Sequence, residues 1–285
     1  MDYPIVSVKT KDDLKLHGII ADTNFKKRIV IFIHGTSDSF YGVNFIKGFF
    51  EELPKDNFAF LSTNNRGAFV LEAYQKSGSA VEFFEDCILD IDAWIKFAID
   101  RGYSEITLIG HSLGTEKVVY YMNRGKFINN IKSVILLGPA DSFGYHYQEL
   151  KDQLPSLEIE AKNLVKKGKG YQFLTTVWNS HAGVMPQNAE SYLNLFSDGS
   201  ELSKAFPFRN GSSLEYFKNI KVPVLTVIGD QHEYTVVPIK NALKLLKKEN
   251  LNTEAVQLNS CDHDFTDRGA ELISLVVDFL SHIQK

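Results

Sequence analysis

Ile106-Thr107-Leu108-Ile109-Gly110-His111-Ser112-Leu113-Gly114 runs from a short apolar strand into a G-x-S-x-G turn, and an amphipathic helix starts straight afterwards. A nucleophilic serine needs such a sharp strand-to-helix turn to project its oxygen, and flanking glycines remove the Cβ atoms that would clash there. The helix N-terminus below it favours developing negative charge. The plainer alternative is a glycine-rich turn in which Ser112 serves only as a helix N-cap.

Working outward, Arg28-Ile29-Val30-Ile31-Phe32-Ile33 is a continuous β-branched run without alternation, as expected of a strand covered on both faces, and it stops at His34-Gly35. Phe58–Leu61, Ile106–Ile109, Val134–Leu137, Val222–Ile228 and Ala255–Leu258 have the same character, while Ile5–Val8 and Leu14–Ile20 alternate around Lys11-Asp12-Asp13 as an opening hairpin. Between them lie helical periods, the clearest from Val81 to Ile99 and closed by Arg101-Gly102, the last from about Gly269 to Ile283. Alternating strands and helices predict an α/β fold, with a mostly parallel central sheet of about eight strands and helices on both faces. The rhythm breaks once, for about 70 residues after Pro139, a stretch with its own helical segments (Tyr145–Lys167), the turn Lys167-Gly168-Lys169-Gly170 and a cluster of aromatics. The expected organisation is therefore a core over 1–138 and 211–285 and an inserted cap over 139–210.

Serine at its ordinary pKa is a poor nucleophile, so a general base must lie within hydrogen-bond reach and an acid must fix the tautomer of that base. Of eight histidines, His263 is best placed, in Ser260-Cys261-Asp262-His263-Asp264-Phe265 between the final strand and the final helix. His34 and His111 read as structural, and His17 and His282 as surface or packing residues. The acid should follow Val222–Ile228, where the chain reads Gly229-Asp230-Gln231-His232-Glu233-Tyr234. Asp230 is preferred because it sits nearest the strand end; Glu233 is the alternative if the loop bulges by one residue, and Asp141 a remote third. Oxyanion donors are expected from the backbone amides of Leu113 and Thr36, with the Thr36 and Ser37 hydroxyls assisting.

Through His34-Gly35, Gly110-His111-Ser112-Leu113-Gly114, the Gly229-Asp230 loop and His263, the chain resembles the α/β-hydrolase fold superfamily of serine esterase type. Ile135-Leu136-Leu137-Gly138-Pro139-Ala140-Asp141, Lys167-Gly168-Lys169-Gly170, Tyr192-Leu193-Asn194-Leu195-Phe196-Ser197-Asp198 and Glu233-Tyr234 look like the group that includes fungal siderophore (fusarinine-type) ester hydrolases. His232 stands where hydrolases of this architecture usually carry the aspartate of Gly-x-x-Asp. The resemblance implies hydrolysis of esters or lactones, including macrocyclic ones, without a metal or organic cofactor.

The cap should roof the nucleophile. Tyr145, Trp178 and His181 are its expected substrate-binding residues, beside Phe143, His146, Tyr147 and Met185, with Tyr41, Arg66, Phe69 and Tyr74 arriving from two other loops. A bulky small-molecule ester or lactone would suit a lid of this size. Amidase, peptidase or thioesterase activity would use the same residues, and a non-catalytic binding protein on the same scaffold is the rival from another class.

Composition bounds the rest. Of 285 residues 23% are charged and 44% hydrophobic, and 31 Lys plus Arg against 35 Asp plus Glu give a net charge of −4 with no like-charged blocks. Nucleic acid is thus not an expected partner. No run of about 18 apolar residues and no secretory pattern is visible, so the reading is a cytoplasmic chain without a membrane partner, a monomer or homodimer. Cys87 and Cys261 read as buried free thiols rather than a bridge, and no metal-ligand spacing occurs.

Overall fold

The apolar run Arg28–Ile33 forms the strand β3, and its alternate residues are buried on opposite faces. Ile29, Ile31 and Ile33 join one apolar cluster, while Val30 and Phe32 join another. The computed structural model describes residues 3–180 and 183–283. Its other strands are β1 (Ile5–Lys9), β2 (Lys15–Ala21), β4 (Phe58–Thr63), β5 (Glu105–His111), β6 (Ile131–Leu137), β7 (Trp178–Ser180), β8 (Gly183–Met185), β9 (Val224–Ile228) and β10 (Thr253–Gln257). The helices are α1 (Ile46–Glu52), α2 (Cys87–Asp100), α3 (Leu113–Arg124), α4 (Ser142–Glu149), α5 (Leu154–Lys166), α6 (Ala189–Phe196), α7 (Glu201–Ala205), α8 (Glu215–Lys218), α9 (Ile239–Glu249) and α10 (Gly269–His282).

Eight strands form one sheet in the order β1-β2-β4-β3-β5-β6-β9-β10. The pairs β1–β2 and β2–β4 are antiparallel, and the remaining pairs are parallel. Residues of α2, α3 and α9 (Trp94, Val118, Leu245) pack with one face, and residues of α1 and α10 (Phe49, Val276) with the other. After β3 the chain steps outward to β4 and then returns to β5 on the opposite side of β3. Such a reversal of strand order opens a crevice at the carboxyl ends of the two central strands. The loop after β3 and the turn at Ser112 meet there.

Departures from the expected bounds have local causes. Pro223 has no N–H to give a ladder, so β9 starts at Val224 while the Pro223 carbonyl still accepts from Val134. The helix expected from Val81 starts only at Cys87, after a 3₁₀ turn over Phe84–Asp86. Upstream, the Ala80 carbonyl is taken by the Asn188 amide and the Phe84 amide by Asn194 Oδ1, which hold the chain out of helical register. The helical segments expected over Tyr145–Lys167 are α4, which starts three residues earlier at Ser142, and α5, with proline in its first turn.

Between β6 and β9 lie α4 to α8 and the β7–β8 hairpin. Residues from this stretch, among them Phe143, Leu157, Tyr192 and Leu202, share a third apolar cluster with Phe84, Cys87, Leu113 and Tyr120. The segment is tied at its base by Asp141. That carboxylate caps α4 through Gly144 N at 2.8 Å, accepts from Arg209 N at 2.8 Å and pairs with the Arg209 guanidinium. Cys87 and Cys261 are buried and unbridged. Among the described residues, no helix is long and apolar enough to cross a membrane.

Candidate active site

Ser112 occupies the turn between β5 and α3 with φ 55° and ψ −130°. This strained conformation for a non-glycine residue is held from both sides. Its N–H donates to the Leu137 carbonyl at 3.1 Å, and its carbonyl accepts from Thr115 N at 2.9 Å and Thr115 Oγ1 at 2.7 Å. The glycine at 114 is required by close packing, because a Cβ there would come within 2.2 Å of the Ile33 carbonyl oxygen.

His263 Nδ1 lies 2.8 Å from Glu233 Oε2. A carboxylate only accepts, so Nδ1 carries the proton and Nε2 keeps its lone pair. That Nε2 is buried without a hydrogen-bond partner among the described residues. Both Ser112 and His263 line one cavity of about 710 Å³. In this conformation the Ser112 hydroxyl is not bonded to Nε2. It sits beside Gly35, where a Cβ would be 3.2 Å from Oγ. The imidazole is flanked by the Tyr234 ring, edge-on at 4.5 Å between centroids, and by the His111 ring at 5.0 Å.

Asp230, the preferred acid on sequence grounds, does not reach His263. Its two oxygens accept from the Ser260 and Cys261 amides at 3.0 Å each, so it pins the backbone of the histidine loop. Those backbone hydrogen bonds, the Cys261 amide first, hold its carboxyl below the usual carboxylate range. His232, immediately before Glu233, has φ 55°, in the left-handed region. Glu233 is buried, with Oε1 accepting from Gly229 N at 2.8 Å and Oε2 on the imidazole. Asp141 is spent on its helix cap and Arg209.

Leu113 and Thr36 line the cavity beside Ser112. Leu113 is the first residue of α3, so its amide has no carbonyl one turn earlier to bond. The Thr36 amide is aimed by His34. The Asn65 amide donates to His34 Nε2 at 3.1 Å, so the proton is on Nδ1, which donates to the Gly35 carbonyl at 2.8 Å. In a trans peptide the carbonyl and the next N–H point in opposite directions, so holding Gly35 O turns Thr36 N–H away from the ring. Burial, then the Lys117 charge, depresses the His34 pKa to about 3, so the ring stays neutral. The Ser37 hydroxyl, expected to assist, is engaged instead by Ser79 Oγ at 2.6 Å.

Of the expected pocket residues, Tyr145, His146 and Met185 line the cavity. Phe143 and Tyr147 stack on one another at 4.6 Å between centroids and are not among its walls. Tyr41 is a correction as well: it is 61% exposed, packs on Phe40 and Phe69, and does not border the cavity. At an exposed loop tip its ring packs on the adjacent Phe40 and on Phe69 of the loop after β4. Arg66 is drawn elsewhere by Asp90, Asp86 and Asp12 at 2.9, 3.0 and 3.1 Å, and with the exposed Tyr74 it borders a second cavity. Trp178 begins the β7–β8 hairpin, and His181 lies outside the described residues. Sequence reasoning did not single out Asp38, Glu82, Ser142 or Gln187, which also line the cavity. Asp38 had a visible signal, lying two residues beyond Thr36 in the same loop, whereas Glu82 was hidden in a stretch read as helix.

His111, beside Ser112, is held by packing and by a backbone contact. Its Nε2 bonds the His263 carbonyl at 3.0 Å, and its ring packs edge-on against Phe45. Burial, then the neighbouring His263, lowers its pKa to about 3. Between about pH 6.5 and that value the unfolded chain binds a proton here that the folded chain refuses, so stability falls as pH falls. Lowering the pH from 7.5 to 5.5 should therefore cost the wild type about 1.4 kcal/mol more than it costs His111→Gln. Urea denaturation of both proteins at the two pH values measures this, and parallel losses would refute it.

A family described as "Protein of unknown function (DUF1749)" matches residues 6–267. No curated protein matches the chain. Among solved structures, the Pyrococcus furiosus esterase Pf2001 superposes with a TM-score of 0.63 at 19% identity, over 99% of this chain and 90% of that one. Est1E from Butyrivibrio proteoclasticus, solved with ferulic acid bound, gives 0.66 at 18% identity, over 98% and 100%. The α/β hydrolase GrgF from Penicillium sp. sh18 gives 0.72 at 13%, over 99% of each chain. At these identities the likeness is one of fold, the α/β-hydrolase fold.

Proposed function

The chain belongs to the DUF1749 family, and from its Ser112, His263 and Glu233 we propose that it is a serine hydrolase cleaving a carboxylic ester or lactone. The observation that carries this reading is the orientation of His263. Its Nδ1 is locked on a buried carboxylate at 2.8 Å, and its buried Nε2 has no partner among the described residues, in a side chain that lines the same cavity as the strained Ser112.

In the proposed cycle, a small rotation about the Ser112 side chain brings Oγ to His263 Nε2. The imidazole takes the hydroxyl proton as Oγ bonds to the ester carbonyl carbon. The carbonyl oxygen becomes an oxyanion facing the Leu113 and Thr36 amides, donors of a kind whose removal costs about 2.7–4 kcal/mol apiece. Collapse breaks the bond to the alkoxy oxygen, which leaves with the proton from Nε2. Water, deprotonated at the same nitrogen, then attacks the acyl-enzyme carbonyl; the bond to Ser112 Oγ breaks, Oγ regains the proton from Nε2, and the acid is released. Glu233 holds the tautomer throughout and stabilises the imidazolium.

We read residues 139–210 as the lid of this site. Ser142, Tyr145, His146, Met185, Leu195 and Phe196 come from that segment and give the cavity a largely apolar roof. A volume of about 710 Å³ accommodates a bulky acyl or alcohol group. Esterases among the structural neighbours support ester over amide cleavage.

Fluorophosphonate labelling followed by intact-mass measurement tests the reading. The expected result is a single adduct on the wild type that is absent from Ser112→Ala, with hydrolysis of p-nitrophenyl butyrate lost in parallel. A wild type that neither labels nor turns over would favour a binding protein on the hydrolase scaffold.

A further inference from the structure

We propose that Asn65 is a positioning residue for the oxyanion hole, holding the Thr36 amide on target through His34, and that Lys117 sets which way the Asn65 amide faces. The inference rests on the serine-hydrolase reading and assigns to it a buried residue that is not among the described residues lining the cavity.

The Asn65 side chain has a carbonyl arm and an amino arm, and its neighbours decide which is which. One arm lies 3.0 Å from Gly67 N and 3.0 Å from Lys117 Nζ, groups that only donate, so that arm is Oδ1. The other arm is then Nδ2, and it donates to the His34 carbonyl at 3.1 Å. The Asn65 backbone N–H donates to His34 Nε2 at 3.1 Å, so Asn65 grips His34 at its carbonyl and at its ring.

Two successive peptide planes are fixed in this way. Asn65 Nδ2 holds the plane that carries the His34 carbonyl, and His34 Nδ1 holds the plane that carries the Gly35 carbonyl and the Thr36 N–H. None of these contacts can be inverted. The opposite His34 tautomer would set a ring N–H against the Asn65 N–H and a lone pair against the Gly35 oxygen. A flipped Asn65 would set its amino group against the Lys117 ammonium, which Glu82 Oε2 holds in place at 2.7 Å. Burial, then the Lys117 charge, keeps the His34 ring neutral, as the network requires. Lys117 lies in α3, which Ser112 opens, so the same helix is the reference for the serine and for the Thr36 donor. A buried ammonium with its partners is often no more stabilising than apolar residues of the same volume. What this network contributes is a fixed polarity at every contact.

The test uses 4-nitrophenyl butyrate and its thiono analogue, in which sulfur replaces the carbonyl oxygen. Attack then develops charge on sulfur, a weak acceptor, so the thionoester draws little from the Thr36 and Leu113 amides. The readout is the ratio of kcat/KM for the oxygen ester to that for the thionoester, which a merely structural defect leaves unchanged because it slows both alike. In the wild type this ratio should stand well above that for hydroxide-catalysed hydrolysis. Asn65→Asp keeps Oδ1 for Gly67 and Lys117 but turns a second carboxylate oxygen on the His34 carbonyl, where two acceptors repel. Its kcat/KM for the oxygen ester should fall by about 10², the scale for a reacting group displaced by about 1 Å, and the ratio by about tenfold or more. Asn65→Ser retains the backbone donor to Nε2, leaves Lys117 on Glu82 and should lower the ratio in the same direction, which decides the matter if Asn65→Asp does not fold. A wild-type ratio no higher than that for hydroxide, or a folded variant in which both esters slow equally or not at all, would overturn the proposal while leaving the hydrolase reading intact. A wild type that turns over neither ester and takes no fluorophosphonate defeats the hydrolase reading, and the proposal with it.

Discussion

Replacing Glu233 by glutamine should lower kcat by about 10⁴ with little change in fold, because an amide can donate to His263 Nδ1 and so favours the wrong tautomer. Ser112→Ala and His263→Ala should lose at least about 10³. Asp230→Asn should lose less than about tenfold, since Asp230 touches two backbone amides and no part of the imidazole. Steady-state hydrolysis of p-nitrophenyl butyrate by the four variants measures the contrast. A collapse of Asp230→Asn with Glu233→Gln left active would show that the loop rearranges on substrate binding and that the assignment of the acid is wrong.

The second large effect concerns stability. Lys117 is fully buried in α3, five residues beyond Ser112, and bonded to Asn65 Oδ1 at 3.0 Å and Glu82 Oε2 at 2.7 Å. Asn65 in turn bonds His34 through its amide and, by Nδ2, the His34 carbonyl at 3.1 Å, so the pair anchors the loop that presents Thr36. Glu82→Ala strands an ammonium in the interior and should destabilise the protein by about 3–5 kcal/mol. Lys117→Met should cost less, because Glu82, unlike Lys117, borders the cavity. Glu82→Met combined with Lys117→Met should recover much of the loss, since an apolar pair of similar volume has no charge to desolvate. Denaturant unfolding of the three proteins gives these differences. A loss below about 1 kcal/mol in Glu82→Ala would mean that water already hydrates Lys117.

Most of the sheet was legible because its signal is local. β3, β5 and β9 are apolar runs buried on both faces, and Gly110 to Gly114 fits few other contexts. His263 was legible from its place after the last strand. The acid was not settled, because proximity to the strand end and reach to the imidazole are different properties. Hydrogen bonds separate the two carboxylates, Asp230 to the Ser260 and Cys261 amides and Glu233 to the imidazole, and no local residue pattern announces that division. The start of α2 was misread because contacts from Asn188 and Asn194, more than a hundred residues away, override the local helical period. Pocket residues were legible only in part: Tyr145 and Tyr41 look alike in sequence, yet one faces the cavity and the other the solvent.

The base of the β6–β9 excursion carries a consequence for how such a chain can diversify. With Asp141 joined to Gly144 and to Arg209, the two ends of the excursion are stitched together independently of what lies between them. Closing a loop costs entropy that rises only with the logarithm of its length, each doubling adding about 0.6 kcal/mol. The intervening residues can therefore be lengthened, trimmed or exchanged with little burden on the sheet, and a lineage can vary the segment between β6 and β9 while the turn at Ser112 stays as it is. Asp141 and Arg209 mark where such grafts would be cut.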